Sequence, residues 1–314
     1  MITNLKPYNN NNFLIILLLS FLWLLSAFPI LAQANDLNFA VDFAQFKLTG
    51  NAAVVEIYYS LSRQGLTYQK IADGFLAEGV INTYLMSPIV EMNSMNMQDP
   101  DTLQLWQEEH FKIISLDSII IHDVVDSLFF NDANSEITEM MVAKVKEGEF
   151  DLLSIFTDLT SKKKKSIIQP MMIRKFSKKK LAISSVQLAR ALNSPLGEKS
   201  KFDKGGIRVI PNATRGYKLG NKGVPFYVEM YNLNVEEKAM NSKWRLEYFI
   251  SNRYGVIISS FLNSYAKKAD GDGVLTGFVS TQNYPCGFYH LKIKVTDEFN
   301  GNSAEAENNF YVHD

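Results

Sequence analysis

The sequence predicts an all-β fold: two tandem immunoglobulin/fibronectin-like β-sandwich domains behind a signal peptide. Three observations lead to that expectation. First, a block occurs twice. Gly148-Glu149-Phe150-Asp151-Leu152 runs on to Thr157-Asp158, and Gly287-Phe288-Tyr289-His290-Leu291 runs on to Thr296-Asp297, with glycine, aromatic, leucine, threonine and aspartate in the same places. Second, apolar residues in each copy fall at alternate positions: Phe150, Leu152 and Phe156 in the first, Tyr289, Leu291, Ile293 and Val295 in the second. A period of two puts them on one face of a strand, and Thr-Asp before polar residues marks a hairpin turn. Third, short runs of the same kind recur along the chain with turn residues between them and few helical patterns.

Taken in order, residues 1–34 read as the signal peptide. Lys6 and an asparagine run precede the apolar stretch Phe13–Leu25, and Ala32-Gln33-Ala34 supplies the small-x-small pattern that a signal peptidase needs. The alternative is an uncleaved anchor, since the apolar stretch is about long enough to span a bilayer; Pro29 and the Ala-Gln-Ala site favour cleavage after Ala34. The expected mature chain is exported, to the periplasm or the cell surface, with no stable membrane span after cleavage.

The first sandwich is expected over residues 35–180. Phe39, Val41 and Phe43 alternate with polar or small residues, as do Val55, Ile57 and Tyr59, and Gly50-Asn51 between them marks a hairpin. Tyr68–Ile71, Phe75–Ala77 and Ile81–Ile89 continue as strands separated by Asp73-Gly74 and Gly79, and Phe111, Ile113 and Ile119–Ile121 add more. Ile137–Lys146 fits a short helix or a strand; strand is expected, because Gly148 and the repeated block follow at once. Between Lys162–Lys165 and Lys178–Lys180 lies an apolar strand containing Pro170. Proline cannot donate to a central ladder, so this strand belongs at a sheet edge, where flanking lysines discourage pairing with other molecules.

The second sandwich is expected over residues 181–314. Leu181–Ser194 is a bridge, and a polar loop runs from Pro195 to Gly205-Gly206. Ile207–Asn212 is a short strand ending in a turn. Phe226, Val228 and Met230 alternate with Tyr227, Glu229 and Tyr231, a strand with two dissimilar faces. Trp244, Leu246, Tyr248 and Ile250 form another; Asn252–Gly255 turns the chain and Val256–Phe261 returns beside it. The repeated block and Asn309–Val312 complete the domain.

Several of these stretches resemble bacterial GWxTD-domain proteins. Val41–Phe46 with Val55–Ser60 is similar to their opening, Ala182–Ala189 to their inter-domain segment, and Ile207–Asn212 with Phe226–Leu233 to the start of their second sandwich. Pro285–Tyr289 with Thr296-Asp297 resembles its closing hairpin. The Gly-Trp-x-Thr-Asp signature itself is missing, because none of Trp23, Trp106 and Trp244 follows a glycine. The chain thus resembles the N-terminal two-domain portion of the family, lacking the signature module. The resemblance implies an exported envelope protein of largely uncharacterised role.

Charge and chemistry narrow the function classes. The net charge is −1, so nothing attracts nucleic acid or an anionic membrane. The single cysteine, Cys286, forms no internal disulfide, and its neighbours Pro285 and Gly287 supply no basic group to activate a thiol. His110, His122, His290 and His313 lack metal-ligand spacing; His122-Asp123 points its two side chains to opposite faces of a strand, and His290 belongs on a solvent face. Glu108-Glu109 and Glu236-Glu237 are adjacent pairs, which alone do not make a glycosidase. Asp270 and Asp272, alternating with glycines, are candidate calcium ligands, although a plain turn explains them as well. Asn212-Ala213-Thr214 reads as a turn.

No cofactor and no enzymatic activity are expected. The leading expectation is a non-enzymatic scaffold or protein-interaction module, with an envelope protein as partner. The alternative is a carbohydrate-binding module for cell-surface polysaccharide. Tyr58, Tyr227 and Tyr231, opposite in parity to apolar neighbours, are the candidate binding anchors unless a second sheet, a helix or the adjoining domain covers them.

Overall fold

The computed structural model describes residues 37–48, 52–88, 111–129, 135–220, 223–234, 241–268 and 271–314. The first sandwich contains β1 (Phe39–Lys47), β2 (Ala52–Ser62), β3 (Gln69–Ile71), β4 (Gly74–Pro88), β5 (Phe111–Val125), β6 (Glu136–Lys146), β7 (Gly148–Asp158) and β8 (Lys164–Ile173). One sheet is β1-β2-β6; the other runs β5-β4-β7-β8, with β3 beside the start of β4. The second sandwich contains β9 (Ala182–Ile183), β10 (Gln187–Asn193), β11 (Asp203–Lys204), β12 (Ile207–Pro211), β13 (Gly216–Lys218), β14 (Val224–Tyr231), β15 (Asn241–Asn252), β16 (Ile257–Lys268), β17 (Gly273–Val279), β18 (Gly287–Asp297) and β19 (Ser303–His313). Here β14 lies between β17 and β9–β10, and β10 continues to β12 and β11; the facing sheet runs β16-β15-β18-β19, with β13 parallel to β19. The fold is therefore all-β, in sandwiches of immunoglobulin or fibronectin type.

The two sandwiches share one plan. β2 sits centrally in the first as β14 does in the second, and β5-β4-β7-β8 repeats as β16-β15-β18-β19. The duplicated sequence block forms β7 and β18, which occupy the same place in each. Its alternate apolar residues face inward as expected: Phe150, Leu152 and Phe156 join the first core, and Tyr289, Leu291, Ile293 and Val295 the second.

The repeated aspartate does the same work twice. Asp158 is buried at the end of β7, where one carboxylate oxygen accepts the Thr160 and Ser161 amides at 2.9 and 2.8 Å and the other accepts the Thr67 amide at 2.8 Å. Asp297, equally buried, accepts the Phe299 amide at 2.9 Å and the Asn234 amide at 2.6 Å. Each carboxylate closes its own hairpin and ties it to a loop far away in sequence.

Two strand boundaries differ from expectation. Phe75–Ala77 and Ile81 onward are one continuous strand, β4, and Gly79 lies inside it. A Cβ on Gly79 would meet the Phe156 ring at 2.4 Å, so this glycine makes room for a neighbour rather than ending a strand. In the second sandwich the corresponding pair is Trp244 opposite the hairpin aspartate, with the smaller Val295 where Phe156 stands. Phe111, Ile113 and Ile119–Ile121 likewise belong to one strand, β5. The ambiguous Ile137–Lys146 lies in strand β6, and β8, with Pro170, is the last strand of its sheet.

Buried carboxylates that accept backbone donors are costly to remove, because the donors lose both partner and solvent. Asp158→Ala and Asp297→Ala are each expected to lower unfolding free energy by about 2–4 kcal/mol in urea titrations. A loss near zero would show that the hairpins close without them.

Candidate functional site

The most concentrated set of partnered polar groups lies between the sandwiches. Both faces of the β1–β2 pair are covered: Val41, Val55, Ile57 and Tyr59 face the first core, whereas Ala44, Phe46 and Tyr58 pack with Ala189, Val209, Ala213 and Tyr227 of the second sandwich. β14 is covered on both faces as well. Phe226, Val228 and Met230 enter the second core, Tyr227 enters the seam, and Tyr231 packs at the first core with its ring 5.6 Å from that of Phe176.

This placement corrects the candidate binding anchors. Tyr58, Tyr227 and Tyr231 are 1%, 0% and 5% exposed, so none presents a ring to a ligand. All three stand opposite in parity to the core residues beside them, and the adjoining sandwich supplies the cover. Their hydroxyls are all engaged. Tyr58 donates to Glu56 at 2.6 Å, and Tyr227 and Tyr231 donate to the two oxygens of Glu229 at 2.8 and 2.7 Å.

Ion pairs complete the seam. The Lys204 ammonium lies 2.5 Å from the Glu56 carboxylate and sits over the rings of Phe46 and Tyr227, 4.1 and 4.8 Å from their centroids. It approaches this closely because Gly205, at φ 58°, lies against Tyr227: a Cβ there would be 3.0 Å from the Tyr227 hydroxyl and 2.9 Å from Val274. Asp42, buried on β1, pairs with Arg215, a non-glycine residue held at φ 56° in the turn after Asn212. Gln45 behaves like a short strand: its side-chain amide donates to the Met172 carbonyl at 2.6 Å and accepts the Arg174 amide at 3.1 Å, while its backbone pairs with Ser185.

Electrostatics follow from this enclosure. Burial, reinforced by Glu56, holds the Tyr58 phenol well above its usual range, and burial with Glu229 does the same for Tyr227 and Tyr231. Burial lowers the affinity of Lys204 for its proton, and Glu56 only partly offsets that. Burial also works against the charge of Arg215, but Asp42 outweighs it.

The candidate metal loop is used differently. Asp270 lies outside the described residues; Asp272 accepts the Asn232 amide at 2.9 Å and lies 3.8 Å from the Lys47 ammonium. Among the described residues no group of histidine, cysteine and carboxylate side chains is arranged to hold a metal. His110, Glu108-Glu109 and Glu236-Glu237 also lie outside the described residues. His122 is exposed while Asp123 turns inward to pair with Arg63 at 2.8 Å, and exposed His290 meets Asn309 at 2.6 Å. Cys286 is exposed, with its thiol raised by a hydrogen bond to Asp314. Asn212 is buried and accepts the Thr214 hydroxyl at 2.7 Å, the turn expected of it.

Three open clefts flank the seam. One of about 410 Å³ includes Ser60, Glu136, Thr214 and His313, and a neighbour of about 440 Å³ shares Glu136, Thr214 and His313 and adds Arg190. Within them Ser60 donates to Glu136 at 2.5 Å, and Arg190 pairs with the same carboxylate. The carboxylate thus holds the Ser60 hydroxyl and the Arg190 guanidinium in one cluster. The third cleft, about 670 Å³, is lined by Gln45, Met172, Arg174, Lys292, Glu305 and Glu307. Among the described residues no helix is long and apolar enough to cross a membrane.

Asp42, Gln45, Glu56 and Lys204 are the seam residues that the sequence reading passed over. Asp42 and Glu56 stand at positions that alternation assigns to solvent, Gln45 shares the parity of Val41 and Phe43, and Lys204 lies in a polar loop, so no local pattern sets the four apart.

No protein-family model matches the chain, and no curated protein matches it. Among solved structures it is similar to red sea bream transglutaminase (10% identity, 88% of this chain and 31% of that one, TM-score 0.26). It is also similar to a Bacteroides uniformis β-glucuronidase (6% identity, 82% and 26%, TM-score 0.27). A third likeness is to the C-terminal domain of the Streptococcus agalactiae AgI/II polypeptide BspA (10% identity, 87% and 100%, TM-score 0.22). The chain spans less than a third of the length of the first two.

Two outcomes test the seam. Lys204→Met leaves Glu56 enclosed without its cation and is expected to cost about 3 kcal/mol; adding Glu56→Gln should recover much of that loss. The buried phenols also set the alkaline limit. Tyr59, raised to about 12 chiefly by burial, and the three seam tyrosines keep their protons longer folded than unfolded. The tyrosines' contribution to stability is therefore full below pH 10 and falls as pH rises toward 12. Lys204 acts oppositely, since the unfolded chain holds its proton more tightly, but one ammonium is outnumbered by four phenols. Urea midpoints that stay level through this range would contradict the enclosure of the tyrosines.

Proposed function

We propose that this chain is an exported, non-enzymatic scaffold or protein-interaction module of the bacterial envelope. The observation that supports the reading best is how many enclosed ionic groups meet between the sandwiches. Glu56, Lys204, Asp42, Arg215 and Glu229 are partnered with one another and with buried tyrosines between two sheets. Such a seam stiffens a two-sandwich body and leaves strand edges and loops as its working surfaces. Residues Leu37–Asp314 form one compact unit, in keeping with that role. Export follows from the leader, and the likeness of scattered strands to the N-terminal portion of GWxTD-domain proteins points the same way. The carbohydrate-binding alternative loses its row of aromatics, because all three tyrosines are enclosed.

Cross-linking in intact cells, with affinity capture of the tagged chain, tests the reading. A reproducible protein partner is the expected result, together with a processed N-terminus at Asn35. Capture of polysaccharide with no protein would sink the scaffold reading and favour the carbohydrate module.

A further inference from the structure

Among the described residues, most free strand edges of this fold are guarded or short; β17, seven residues with neither proline nor charge, is a short one, and β16 is the long exception. β8 carries Pro170, begins with Lys164-Lys165 and has the Gln45 amide bonded to its far end. β19 is covered by β13 over Tyr311–His313 and carries Glu305 and Glu307 along the rest. On β6, Glu136 and Glu139 pair with Arg190 and Lys201 of the second sandwich. β5 carries Asp117, His122 and Asp123. β16 has none of these devices. It is the last strand of its sheet among the described residues, twelve residues long, with neither proline nor charged residue from Ile257 to Ala266. Ile257, Ile258, Phe261 and Leu262 are all exposed, Ile257 at 60% and Leu262 at 63%. A long, apolar, uncharged edge is a template for another strand.

We propose that two copies of this chain pair through β16, edge to edge and antiparallel, about a twofold axis at Leu262. The inference deepens the scaffold reading and rests on it, by naming the first partner as a second copy. The charge pattern of the strand selects that occupant. Its only charges, Lys267 and Lys268, stand together at one end. An antiparallel twofold carries them to opposite ends of the joint, facing the uncharged Ile257 and Val256 of the other copy; a parallel pairing would set lysine against lysine. The same register is self-complementary along its length. Leu262 meets its own counterpart between Ser260 and Ser264. On the other face Phe261 lies opposite Asn263 and diagonal to the second Phe261, within reach of an aromatic contact. The result is one sheet continuous across both molecules, an isologous joint that closes after two copies.

Light scattering on the purified processed chain is expected to give twice the chain mass. Leu262→Lys sets two ammonium groups against each other at the axis and is expected to weaken the dimer about 100-fold or more, while the exposed position leaves the fold intact. Leu262→Cys with Cys286→Ser should cross-link under mild oxidation, since directly opposed positions lie about 4.5–5.5 Å apart at Cβ. Ile120→Cys with Cys286→Ser, on β5, should not. A monomer, or a dimer indifferent to Leu262→Lys and not cross-linked through position 262, overturns the inference. If that monomer still captures another envelope protein in cells, only the pairing has failed and the scaffold reading stands.

Discussion

Between the two sandwiches, Glu56 and Lys204 are held away from water with Tyr58 and Tyr227 around them, and the cost of leaving any of these groups unpartnered fixes how the domains meet. Sliding one sandwich against the other by a single residue would leave a carboxylate and an ammonium enclosed apart, a penalty of several kcal/mol. Apolar contact among Ala44, Phe46, Ala189 and Val209 tolerates small shifts; the ionic contacts do not. The hydrophobic part of the seam therefore supplies attraction and the polar part supplies register. Gly205 and the left-handed turn at Arg215 are local backbone features that this register requires, since both place a cation within reach of a carboxylate on the other domain.

The same constraint explains why β1, β2 and β14 are so apolar for strands of antiparallel sheets. An antiparallel sheet ordinarily shows one face to water, and its sequence alternates accordingly. Here each of the three strands has a core on one side and the other sandwich on the opposite side, so the second face carries tyrosine, alanine and paired charges. Gln45 extends the principle to a strand edge: one carboxamide bonds to the backbone at the end of β8, through the Met172 carbonyl and the Arg174 amide.

Duplication is visible at two levels that need not agree. The hairpin carboxylates Asp158 and Asp297 perform one task in both copies although only the Thr-Asp pair is shared at the turn, because that task depends on local backbone donors rather than on the following side chains. Core volume is filled differently, with Phe156 over Gly79 in one sandwich and Trp244 near Val295 in the other. Packing constrains summed volume rather than any one side chain, so paired positions drift together while the turn stays fixed.

Local chemistry made much of the fold legible. Alternation located most strands, the Thr-Asp hairpins and the proline-bearing edge, because a period of two and a proline without an amide act within a few residues. Gly79 looks like a break in the sequence because its reason, the Phe156 ring, is distant along the chain and adjacent only through the β4–β7 pairing. The tyrosine faces show the same limit. Sequence parity separates Tyr58, Tyr227 and Tyr231 from the core residues beside them, yet a polar-looking face is identical on paper whether water or a second domain covers it. The sequence alone determined an all-β chain with a duplicated strand-and-hairpin unit. Only tertiary structure decided that the two units enclose Asp42, Glu56 and Lys204, and that β16 is left unguarded, because burial and edge exposure depend on which strands become neighbours in space.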